Sequence, residues 1–76
     1  MEYSVDSQEQ GEVKLTEREL SVLKLLITGM TNAQIGDKLG LSQHTVKAHM
    51  CSILQKMSVK DRVQAAVRAV REHIVD

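Results

Sequence analysis

Two short amphipathic segments separated by nothing longer than Leu39-Gly40-Leu41 constrain this chain more than any other feature. Between Asn32 and Met50, the apolar residues Ile35, Leu39, Leu41 and Val46 fall where two helices meeting across a tight turn must face each other. Gly36 is small where the two backbones come closest. Gly40 can take a positive φ in the turn without a Cβ clash. The pattern is the sequence form of a helix-turn-helix, a unit that usually presents its second helix to the major groove of DNA.

The flanking sequence supplies the rest of an all-α, four-helix domain. Thr16-Glu17-Arg18-Glu19 reads as a capping box, and Leu20, Leu23, Ile27 and Met30 follow as a stripe that ends near Gly29. Asn32 is expected to cap the second helix, Ser42 the third and Asp61 the fourth, with Gln64 in the capping-box position. The predicted helices cover about residues 16–29, 32–39, 42–57 and 61–74. Val63, Ala66, Val67, Val70 and Ile74 are expected to form the apolar face of the last one. Residues 1–14 are polar and acidic with no helical period and read as a tail or interdomain linker, leaving 15–76 as the domain.

The 76 residues suffice for one small domain, which at this size buries only about 60% of its unfolded surface. Its core is aliphatic, since Tyr3 is the only aromatic residue, and the absence of proline favours helix. Cys51 is the single cysteine, so no internal disulfide can form. No apolar run reaches the roughly 18 residues of a membrane span, and the N-terminus carries Glu2 and Asp6 where a secretory signal would be basic. The expectation is a cytoplasmic protein without a membrane partner. His44, His49, His73 and Cys51 lack ligand spacing for zinc, and no nucleophile, base and orienting acid converge. No metal, cofactor, small-molecule ligand or enzymatic activity is expected.

The formal net charge is zero, yet its distribution is uneven. Residues 1–20 hold Glu2, Asp6, Glu9, Glu12, Glu17 and Glu19 against Lys14 and Arg18. From Lys38 to Arg71 the bases Lys38, Lys47, Lys56, Lys60, Arg62, Arg68 and Arg71 face a single acid, Asp61. That asymmetry suits a nucleic-acid partner as well as an ordinary solvated surface. The third helix sharpens the choice. At about 100° per residue, Val46, Met50, Ile53, Leu54 and Met57 fall on one side, and His44, Lys47, Ala48, Cys51 and Gln55 on the other. The outer side is short-chained or polar with one long cation, a composition suited to close approach to another surface.

Leu15-Thr16-Glu17-Arg18-Glu19, Gly29, Thr31-Asn32-Ala33-Gln34-Ile35, Leu39, Leu41-Ser42, Thr45-Val46-Lys47-Ala48-His49, Ile53, Lys56-Met57, Val59 and Arg62 together resemble the LuxR-type (NarL/GerE-type) DNA-binding domain of bacterial transcription regulators. The resemblance covers about residues 15–75. It implies a four-helix domain that binds double-stranded DNA as a homodimer, with the third helix in the major groove and the fourth at the dimer contact. RNA polymerase is a further candidate partner. In such proteins the domain commonly follows a phosphoacceptor or autoinducer-binding domain, and neither lies within these residues. The Met1 start suits a small stand-alone regulator; the linker-like tail suits the output end of a response regulator, the favoured expectation. Two positions depart from the family pattern: Ser52 stands where Asn is frequent, and Gly36 where Ala is usual.

On this reading Lys47, Ala48, Cys51 and His44 are candidate base contacts. Lys47 would reach a guanine edge or a phosphate, and Ala48 a thymine methyl. Asn32, Ser42, Thr45, Lys56, Lys60 and Arg62 are candidate phosphate contacts, with an ion pair to Glu17 or Glu19 as the rival role for Arg62. His49 is expected to be structural. Ala65 and Ala69, bordered by Arg68 and Glu72, form a small-residue track expected at the dimer contact. The competing functions are a protein-interaction module that kept the fold with little DNA affinity, and a sigma-factor-like promoter reader sharing the Leu15-Thr16 to Arg18-Glu19 opening.

Overall fold

The computed structural model describes residues 14–75, so the expected acidic tail lies, Lys14 apart, outside the described residues. Within them the chain forms four helices and no strand: α1 (Glu17–Leu26), α2 (Asn32–Leu39), α3 (Gln43–Met57) and α4 (Arg62–Arg71). None is long and apolar enough to cross a membrane.

Each helix starts at a residue whose oxygen replaces a missing backbone partner. Thr16 accepts the Glu19 N–H at 3.1 Å while the Glu19 carboxylate takes the Thr16 N–H at 3.0 Å, completing the expected box. The α2 start corrects the sequence expectation. Thr31, not Asn32, is the cap, in a second box with Gln34, and Asn32 is the first helical residue. Ser42 caps α3 and Asp61 caps α4 as expected. Gln64 folds back onto the Lys60 N–H at 3.0 Å rather than that of Asp61.

The turn between α2 and α3 depends on its two glycines. Gly40 sits at φ 72° and closes α2 by directing its N–H to the Gly36 carbonyl, which also receives the Leu41 N–H at 2.8 Å. A Cβ on Gly36 would lie 2.5 Å from the Leu41 carbonyl oxygen, so α2 and the turn approach as closely as only glycine permits. The outer helices end earlier than the apolar stripes suggest. α1 stops at Leu26 before Gly29 at φ 93°, and α4 stops at Arg71 before His73 at φ 55°. The Ile74 N–H then returns to the Ala69 carbonyl at 2.9 Å, and Val75 re-enters the core.

α3 is the central element, packing against α1, α2 and α4 through Val46, Met50, Ile53 and Met57. Val22, Leu23, Leu26 and Ile35 close the core from α1 and α2. The inward face of α4 is only in part the expected one: Ala66 and, beyond the helix end, Ile74 pack against the core, half-buried, but the three valines do not point into it. Ala65 and Ala69 are fully buried in the domain's own core, while Val63, Val67 and Val70 are 67%, 47% and 55% exposed. Alanines let α4 approach α3 closely, and the bulkier valines, on a face about 150° round the helix, are left in water.

Candidate nucleic-acid interface

α3 divides into two opposite faces. With Val46, Ile53 and Met57 at zero exposure on one side, His44, Lys47, Ala48, Cys51 and Gln55 all emerge on the other. The four expected base-contact residues therefore lie on one continuous exposed face, and Gln55 extends it by a turn. The helix start carries Ser42, whose hydroxyl accepts the Thr45 N–H and donates to Thr45 Oγ1, both at 3.0 Å. His49 is half-buried beside the core stripe. Cys51 is an exposed free thiol. Lys60 is exposed beyond the α3 C-terminus.

The flank of α3 facing α1 carries a network that the sequence reading did not assemble. Glu19, 5% exposed, is the only buried charged residue described. Its Oε1 receives Lys56 Nζ at 2.8 Å and the Thr16 N–H at 3.0 Å, and its Oε2 receives the Ser52 hydroxyl at 2.6 Å. Burial by itself would raise the Glu19 pKa. The hydrogen bonds from Lys56, Ser52 and Thr16, with the Lys56 charge, outweigh it and hold the carboxyl at about 2. Lys56 thus turns toward α1 instead of standing free for a phosphate, and Ser52, standing where the family pattern often has Asn, still supplies a polar contact to Glu19. The available sequence signal was the pairing of an acid at the third position of α1 with a base on the α1-facing flank of α3.

Arg62 follows a similar course. Its guanidinium donates to Asn32 Oδ1 at 2.9 Å and to the Met30 carbonyl at 3.0 Å, fastening the start of α4 to the start of α2. Neither Glu17 nor Glu19 is its partner, which corrects the rival expectation, and two expected phosphate ligands are instead bonded to each other. Arg68 donates to the Met57 carbonyl, satisfying the last turn of α3, and pairs with Glu72 at 3.0 Å. Of the expected dimer residues, Ala65 and Ala69 are thus interior and Arg68 is engaged within the domain. The exposed apolar side of α4 borders an open hollow of about 560 Å³ lined by Val63, Gln64, Val67, Arg68, Arg71 and Glu72.

Four capped helices with a glycine-tight turn and an uncovered third helix define a helix-turn-helix domain. The model of the bacterial regulatory proteins of the luxR family matches residues 13–69, and the chain belongs to that family, a DNA-binding domain of transcription regulators. It is 50% identical over 62 residues to the transcriptional regulatory protein LiaR of Bacillus subtilis, covering 82% of this chain and 29% of that protein. To the nitrate/nitrite response regulator NarL of Escherichia coli it is 43% identical over 61 residues, covering 80% and 28%. The crystal structure of the response regulator ChrA of a heme-sensing two-component system superimposes with a TM-score of 0.78 at 33% identity, over 84% of this chain and 32% of that one. The chain therefore spans less than a third of the length of each of these proteins.

Proposed function

We propose that this domain binds double-stranded DNA sequence-specifically as the output part of a response regulator, with α3 in the major groove and two copies on paired half-sites. The observation that carries the reading is the uncovered face of α3, where His44, Lys47, Ala48, Cys51 and Gln55 are exposed opposite a fully buried stripe. Lys47 reads a guanine edge, and Ala48 and Cys51 offer apolar contact to thymine methyl groups. Ser42 and Thr45, at the α3 start, and Lys60 contact phosphate. Asn32 and Arg62 support the α2 start rather than contacting DNA as free groups. The family match favours this reading over a sigma-factor-like promoter reader.

Pairing of two domains through α4 is kept, but its residues change. Val63, Val67 and Val70 are the apolar surface left over once Ala65 and Ala69 are buried, and Arg71 and Glu72 stand at its rim. One short helix per partner buries less than the roughly 800 Å² per side of a standard interface, so the free domain is monomeric or weakly paired and DNA completes the dimer. Half-sites then repeat about one helical turn apart. Selection from a random duplex pool, followed by footprinting, tests the proposal. A repeated half-site with salt-dependent binding is expected. A single unrepeated site bound by one copy refutes the dimer, and absence of binding refutes the DNA reading.

A further inference from the structure

We infer that Glu19 acts as a positioning residue that withholds Lys56 from the DNA backbone, so that one cation on the flank of the reading helix is neutralised inside the domain. The inference rests on the DNA reading above. Lys56 follows Gln55 of the exposed face and lies about 100° further round the helix, on the flank where a groove wall would pass. Its side chain is only 39% exposed, and its ammonium rests 2.8 Å from a carboxylate whose own side chain is 6% exposed. That carboxylate cannot swing outward with the lysine, because Thr16 and Ser52 hold both of its oxygens.

For Lys56 to serve a phosphate as a free cation, Glu19 would be left buried and unpaired, which is strongly unfavourable. Nor does Glu19 release the lysine by protonating, since its carboxyl stays ionised down to about pH 2. Lys47 and Lys60 are in a different position: both are exposed, and neither has an acidic partner among the described residues. Each phosphate neutralised by a free cation adds about 0.9 to the log–log salt slope. A lysine already neutralised adds none. Glu19 thereby sets an upper limit on non-specific affinity, leaving base-reading contacts a larger share of the total.

The test is fluorescence anisotropy on a labelled mixed-sequence duplex between about 50 and 200 mM salt. Glu19→Gln keeps the shape of the side chain and removes the charge. The slope is expected to steepen by about 0.9, equivalent to about threefold in relative affinity across that salt range. A merely loosened fold would lower affinity without steepening the slope. Glu19→Gln/Lys56→Met removes the pair at constant net charge and guards against poor folding of the single variant; its slope is expected to equal the parent's. An unchanged slope in folded Glu19→Gln overturns the inference, as does a slope flattened by about 0.9 in the double variant. A parent domain with no salt-dependent binding overturns the DNA reading and the inference together; a binding parent with either contrary slope overturns the inference alone.

Discussion

Replacing Glu19 by glutamine also tests how the fold is held together. The folded-state pKa of Glu19 is lowered from 4.5 to about 2, and each unit corresponds to about 1.4 kcal/mol. The ionised carboxylate therefore contributes about 3 kcal/mol at neutral pH. A domain of this size has a total stability of about 4–11 kcal/mol, so one side chain carries a large share. Because the folded pKa is depressed, that contribution is fully present above about pH 5 and is lost as the pH falls toward 2. Glutamine resembles the protonated acid: its oxygen still takes the Thr16 N–H, and its amide can face the Ser52 hydroxyl.

Urea denaturation followed by helical circular dichroism, repeated from pH 7 to pH 2.5, makes the comparison. The parent should exceed Glu19→Gln by about 2–3 kcal/mol at pH 7, and the gap should close to within about 0.5 kcal/mol near pH 2.5. Subtraction removes the titration common to the other carboxyl groups. Two stability curves that run parallel across the acid range would refute the reasoning, because the charge of Glu19 would then not be what stabilises the α1–α3 contact.

Ser58 ends α3 at φ 56°, in the left-handed region where a Cβ is unfavourable, so Ser58→Gly should raise stability by about 0.5–1 kcal/mol in the same denaturation assay. Lys47→Ala should weaken specific binding by about 1–3 kcal/mol and relax preference at one base per half-site, whereas Lys60→Ala should weaken all sequences alike and flatten the salt slope. Equal, sequence-blind losses in both would remove Lys47 from the base-reading set. Val67→Asp should leave the monomer folded, because Val67 is 47% exposed, and abolish cooperative occupancy of paired half-sites in a gel-shift titration. Peroxide should reduce DNA binding more in the parent than in Cys51→Ser, since an oxidised thiol on the exposed face of α3 would oppose phosphate with negative charge.

The helix order and the turn were legible because they depend on local chemistry. Thr16, Ser42 and Asp61 cap where expected, and Gly40 takes the left-handed turn. The face of α4 was legible only in part. Counting apolar volume directs Val63, Val67 and Val70 inward, but the space beside α3 admits only the alanine side. A pattern within one helix shows that it has two apolar stripes; which of them its neighbours accept is a tertiary decision. The exposure of the valines is in turn what gives the proposed pairing surface its apolar character.

The candidate site divides in the same way. Lys47, Ala48, Cys51 and His44 were legible from the period of a single helix, and that face is uncovered. The cations around it were not, because a long basic side chain can turn inward toward acceptors supplied by distant segments. Lys56 meets Glu19 across 37 positions, Arg62 meets Asn32 and Met30 across 30 and 32, and Arg68 reaches the end of α3. Basic charge counted along the sequence thus overstates the charge available to DNA. On the proposed reading, what remains outward is a short-chained reading face with Lys47 on it and Lys60 beside its end. A domain with zero net charge can then bind DNA through the placement of a few free cations, and its discrimination between sites rests more on α3 side chains than on attraction to any duplex.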